Sequence, residues 1–158
     1  MDLLFFFDWC EKSALGSAIR GSLWLFPVIE SVHLLTLALI GGAVLIVDLR
    51  LLGLGLRRQS VAQLARDIQP WLAGGLIVMV VSGVLLFSSE AIKCYYSTAF
   101  RTKMSFLLPA ILFTFTVRRA AVADETRMKP SWRRVVAVVS LALWTVVGAS
   151  GRWIGFSG

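Results

Sequence analysis

Seven ionisable residues stand in or at the ends of long apolar runs of this chain: Glu30, His33, Asp48, Arg50, Arg101, Lys103 and Arg152. Such side chains are expensive to place in hydrocarbon, which makes them candidates for ligand binding or proton handling. On a continuous helix the eighteen residues from Glu30 to Asp48 are five whole turns, so the two carboxylates share a face about 27 Å apart. They therefore mark the two edges of one membrane span, with Asp48 and Arg50 as a structural ion pair at the inner edge. His33 lies one turn deeper than Glu30 on an adjoining stripe. Arg101 and Lys103 open a third apolar run, and Arg152 closes a fourth. Glu30, His33, Arg101, Lys103 and Arg152 should then converge at one depth. One carboxylate facing three cations makes a net positive pocket, suited to an anionic or carbonyl-bearing ligand such as a quinone, a carboxylate, a lipid phosphate or porphyrin propionates. The structural alternative is a Glu30–Arg152 pair that pins the first helix to the fourth, with His33 donating to a backbone carbonyl.

Other chemistry finds less support. Membrane cytochromes ligate haem iron with histidines on facing helices, and this chain has one histidine. Haem b would need His33 with a methionine such as Met79, or one His33 from each of two protomers. Quinone binding through His33 is the companion reading, and no cofactor is expected outright. Two cysteines, Cys10 and Cys94, fall on the same outer side and could pair in an oxidising space, or stay free. Without a CxxC pair or enough partners they make no zinc site, and no metal site is expected. The chain has no nucleophile elbow, Walker loop or dinucleotide fingerprint, which points away from an enzyme.

The elements that must position these residues follow from hydropathy. The chain is 58% hydrophobic and only 16% charged, with a mean hydropathy of +0.80, well outside the range of soluble domains. From Gly21 to Val47 only Glu30 and His33 are ionisable, and from Ile68 to Ser89 nothing is. Runs of about 18 or more apolar residues read as membrane-spanning helices. Four spans are expected, over 22–47 (the helix continuing to about Leu56), 68–89, 100–117 and 135–154. The third is the weakest, because its uncharged stretch covers only Met104–Val117. It spans if Arg101 and Lys103 snorkel toward the head groups. The reading is one domain, an all-α bundle of four transmembrane helices over residues 1–158.

Charge placement gives the direction. The links between spans one and two and between three and four hold ten of the sixteen Lys and Arg residues. By the positive-inside rule both links face the cytoplasm and both termini face outward. The same rule accounts for the net charge of +7, so a nucleic-acid partner is not expected. The bilayer itself is the partner, with a homo-oligomer or larger membrane complex as the further expectation. The acidic start of the chain lacks the marks of a signal peptide, and a short amphipathic helix around Asp8–Ile19 should lie on the outer surface. Trp9, Trp24 and Trp153 then form the outer aromatic belt and Trp71 and Trp132 the inner one, leaving Trp144 to pack inside. Gly41, Gly42, Ala43, Gly74, Gly75 and the stretch Gly148–Gly151 should let helices approach closely, with Gly151 clearing room for Arg152. Pro27 and Pro109 should kink their helices.

Four blocks carry a resemblance. Trp24-Leu-Phe-Pro-Val-Ile-Glu-Ser-Val-His-Leu-Leu, Val47-Asp-Leu-Arg-Leu-Leu-Gly-Leu, Phe100-Arg-Thr-Lys and Gly151-Arg-Trp-Ile-Gly-Phe occur in that order. Together they resemble an uncharacterised family of small bacterial four-helix membrane proteins, over nearly the whole chain. The resemblance implies a four-helix protein of the bacterial inner membrane and no particular activity, and the charge placement then puts both termini on the periplasmic side. Its blocks contain the same polar residues reached above by position.

Overall fold

A computed structural model describes residues 3–54, 60–123 and 128–156. Among them are eight α-helices, one π-helical turn and no strand. Two short helices, α1 (Leu3–Glu11) and α2 (Ala14–Gly21), precede the long α3 (Leu25–Leu51) and α4 (Val61–Ser89). A six-residue α5 (Ala91–Tyr96) leads into α6 (Thr98–Phe113), which continues through a π-helical turn (Thr114–Arg118) into α7 (Arg119–Ala123). The last element is α8 (Pro130–Ile154).

Four helical stretches, Leu25–Leu51, Val61–Ser89, Thr98–Ala123 and Pro130–Ile154, are long and apolar enough to cross a membrane. At 1.5 Å per residue they measure about 38–44 Å, more than the hydrocarbon core of about 30 Å requires. The protein is a multi-pass, all-α four-helix bundle. Its large apolar side chains point outward as lipid-facing residues do: Leu35, Ile77, Leu108 and Val138 are all more than half exposed. The third span extends beyond Val117 because Arg118, buried in the bundle, is part of the helix rather than its charged stop. The first ends earlier than expected, at Leu51, followed by Gly53 at φ +85°. That left-handed conformation suits glycine. Leu56, Arg57, Arg58 and Arg127, which bear on the expected helix end and charge balance, lie outside the described residues.

α3 packs on both α4 and α8, and α6 packs on α8, whereas α4 and α6 make at most marginal contact. The second and third spans therefore meet at the loop end, where α7 packs on α4, and leave a cleft between α4 and α6. Buried Ile40, Ala43, Val44 and Leu72 join α3 to α4, and Val47, Leu51, Val61, Leu64, Val122 and Ala137 continue the core toward the interhelix loops. Gly75 makes the close approach: a Cβ there would stand 3.1 Å from Ile40 Cγ1. Gly41, Gly42, Gly74 and Gly148 have open space around their Cα atoms instead, so the expected glycine contacts reduce to one on this seam. Trp144 does pack inside, its Nε1 donating to Thr114 Oγ1 at 2.9 Å.

The end carrying the termini is built over by short helices. The single surface helix expected around Asp8–Ile19 is two, broken where the Ser13 hydroxyl caps α2 by accepting from the Gly16 amide. Gly16 lies against the Ser88 carbonyl of α4, where no Cβ fits. Arg20 donates from Nη1 to the Ser89 carbonyl at 2.7 Å and from Nη2 to the Glu11 carbonyl at 2.5 Å. The Glu11 carboxylate in turn accepts from the Ile92 amide at 2.6 Å, satisfying a free donor of the first turn of α5. Phe7 of α1 meets Phe87, Tyr95 and Phe100 edge-on, sealing this end of the α4–α6 cleft.

Candidate functional site

His33 is the pivot of the site. Its Nδ1 lies 2.8 Å from Ser82 Oγ, and the Ser82 hydroxyl donates to the Val78 carbonyl at 2.6 Å. A hydroxyl has one proton to give, so when Ser82 gives it to Val78 the neutral ring donates from Nδ1, the tautomer that leaves Nε2 as the acceptor. Nε2 has no partner among the described residues. The expected acceptor for His33, a backbone carbonyl, is replaced by a serine hydroxyl on the neighbouring helix. Gly83 makes the space: a Cβ there would touch the imidazole at 3.4 Å.

Glu30, His33, Lys103 and Arg152 line one cavity of about 260 Å³ at the terminal end. Four of the five residues expected to converge therefore do so. Arg101 does not, since it is exposed and absent from the lining. Residues 101 and 103 are some 200° apart around a helix, so only one can face inward, and Lys103 takes that place against Gly151. Gly151 thus clears room for Lys103 rather than for Arg152. The expected Glu30–Arg152 ion pair is not formed among the described residues; the Arg152 guanidinium sits over the Phe156 ring, 4.6 Å from its centroid. Glu90 and Lys93, paired at 3.7 Å, and Cys94 add lining that sequence reasoning does not anticipate. They come from the short link between α4 and α6, whose helical fold has no strong apolar period to announce it.

A second cavity, of about 420 Å³, adjoins the first and shares His33, Leu34, Gly83, Phe87, Phe100, Lys103 and Gly151 with it. Its other walls are apolar, among them Leu76, Met79 and Val84 of α4, Met104 and Leu107 of α6, and Trp144 of α8. It occupies the cleft where α4 and α6 stand apart. The two cavities are neighbours, one with a polar and one with an apolar lining, and His33 and Lys103 line both.

Cys10 and Cys94 are free thiols, so the disulfide is absent although α1 packs on α5. Burial, reinforced by the Glu90 carboxylate, pushes the Cys94 thiol up to about 11, which keeps it protonated and unreactive.

At the opposite, loop end, Asp48 is fully buried and pairs with Arg118 rather than with Arg50. Arg118 Nε donates to Asp48 Oδ1 at 2.6 Å, and its Nη2 to the Val44 carbonyl at 3.3 Å. Ser140 of α8, also fully buried, faces the same carboxylate. Two residues apart on a helix, Asp48 and Arg50 cannot face one another, a signal the sequence already contains. Arg118, standing in a basic link, reads from sequence only as a topology-setting charge.

Among the described residues no group of three or more His, Cys, Asp or Glu side chains could hold a metal ion. No curated protein and no solved structure matches the chain. A family model does, over residues 6–157, which takes in all four spans and both ends of the bundle. The chain belongs to DUF6644, a family of unknown function.

Proposed function

We propose that this protein is a non-enzymatic binding protein or subunit of the bacterial inner membrane that holds a small amphipathic molecule drawn from the bilayer. The observation that carries the reading is the adjacency of a polar and an apolar cavity that share His33 and Lys103 in their linings. The tail of such a ligand fits the apolar cavity, reached sideways through the α4–α6 cleft. Its head fits the polar one, where Lys103 and Arg152 donate and neutral His33 accepts through Nε2. That donor–acceptor pairing favours a head that carries both a hydroxyl and a carbonyl or anionic oxygen. By the positive-inside rule the polar cavity faces the periplasm, as do the termini.

Native mass spectrometry in mild detergent tests this reading, with organic extraction of whatever co-purifies. The expected result is a retained small molecule in the wild type that is lost from Lys103→Gln. A ligand-free protein whose spectrum is unchanged by Lys103→Gln and Glu30→Gln overturns it.

A second reading, a redox component holding haem b or quinone through His33, draws on Met79, which lines the same apolar cavity as His33. An absorbance spectrum with and without dithionite separates the two. A Soret band that disappears in His33→Ala favours haem, and no band from haem-supplied cells removes it.

A further inference from the structure

The loop end holds a separate cavity of about 400 Å³, bounded by α3, α4, the π-helical turn and α7. Three arginines line it from two sides: Arg66 from α4, and Arg118 and Arg119 from the third span. No acidic residue belongs to the described lining. Arg118 is a preorganised donor, only 6% exposed and held by Asp48 and the Val44 carbonyl through Nε and Nη2. Its Nη1 has no partner among the described residues. Buried Asp48 compensates Arg118, so the net positive charge of the cavity comes from Arg66 and Arg119, which form no ion pair among the described residues. Toward the bundle interior the walls turn apolar with Leu72 and Phe115.

We infer that this cavity binds one anionic phospholipid, its phosphate between Arg66, Arg118 and Arg119 and one acyl chain lying against Leu72 and Phe115. Guanidinium forks match phosphate oxygens in bidentate geometry, and basic pockets between membrane helices on the positive side take anionic head groups. A free phosphate would satisfy the arginines but leave the apolar wall unused. The inference is independent of the ligand proposed for the cavities at the other end.

The test is lipid retention by the full-length protein, read by native mass spectrometry after exchange into phosphatidylcholine micelles doped with phosphatidylglycerol. One phosphatidylglycerol should survive activation that strips every phosphatidylcholine, and excess inorganic phosphate should not displace it. Arg66→Gln with Arg119→Gln, both exposed side chains, should weaken retention about tenfold or more at an unchanged melting temperature. Equal retention of the two lipids by the wild type overturns the inference, and so does equal phosphatidylglycerol retention by the wild type and the variant. Displacement by inorganic phosphate also overturns it, identifying a soluble-anion site. The wild-type arms decide the matter even if the double variant fails to fold.

Discussion

At the loop end a carboxylate with no exposed surface lies 2.6 Å from a guanidinium that is itself nearly buried. At the terminal end Glu30, Lys103 and Arg152 line a common cavity, yet no ion pair joins them among the described residues. Both arrangements put charge into or beside hydrocarbon, where an isolated ion is strongly disfavoured. At the loop end the cost of desolvation is offset inside the protein, by a short contact and a second hydrogen bond to Val44. At the terminal end it is avoided by leaving the groups in a cavity, where water or a ligand must complete their shells. A paired site holds the bundle together; a set of partly satisfied groups around an open space is available for recognition.

The largest effect should therefore fall at the loop end. Removing one member of a buried pair typically costs about 3–5 kcal/mol, because the other is left charged and unpaired. Arg118→Gln should lose about that much in denaturant or thermal unfolding in detergent, whereas Glu30→Gln should lose less than about 1 kcal/mol, as for an unpaired polar group near a surface. A Glu30→Gln loss equal to that of Arg118→Gln would break the comparison.

Filling the space at His33 should separate binding from stability. Gly83→Leu extends a side chain toward the His33 ring, which stands only 3.4 Å from where the first side-chain carbon would go. It should expel the co-purified molecule at a stability cost of about 1–3 kcal/mol, the range for overpacking. Mass spectra and melting curves of the same preparation check both. Retention of the molecule at full occupancy would move the binding site away from His33.

The smallest effect is on reactivity. With its thiol raised to about 11 by burial and by Glu90, Cys94 should hold about 100-fold less thiolate at neutral pH than a free cysteine. In a Cys10→Ser background its alkylation should be slow at pH 7. The rate should climb about tenfold per pH unit until the thiol titrates, because only the deprotonated form reacts. A rate that levels off near pH 8.5, the ordinary range of a free thiol, would show Cys94 to be solvated and the polar cavity wider than its walls imply.

Much of this contrast is legible without any fold, and the misses have identifiable causes. Depth in the membrane follows from position along a helix, since each residue adds a constant rise. Glu30, His33, Lys103 and Arg152 can accordingly be assigned to one level. Arg118 follows buried Ala110 and Thr114 at intervals of four residues, on one inward stripe; its charge type, not its angle, hides it in the sequence. The π-helical turn at Thr114–Arg118 tightens that alignment. Such turns tend to accompany functional sites, and this one supplies an arginine to the loop-end cavity. Glu90, Lys93 and Cys94 escape notice for another reason: a six-residue helix between spans carries too little pattern to place its side chains.

The sequence by itself determined that this chain crosses a membrane four times and which polar residues lie near its ends. Hydropathy and helical rise are local properties, summed along the chain. Only the tertiary structure decided which charge answers which, and where the bundle stays open. Those outcomes depend on the angle at which each helix meets its neighbours, and the gap between α4 and α6 is a property of no single helix.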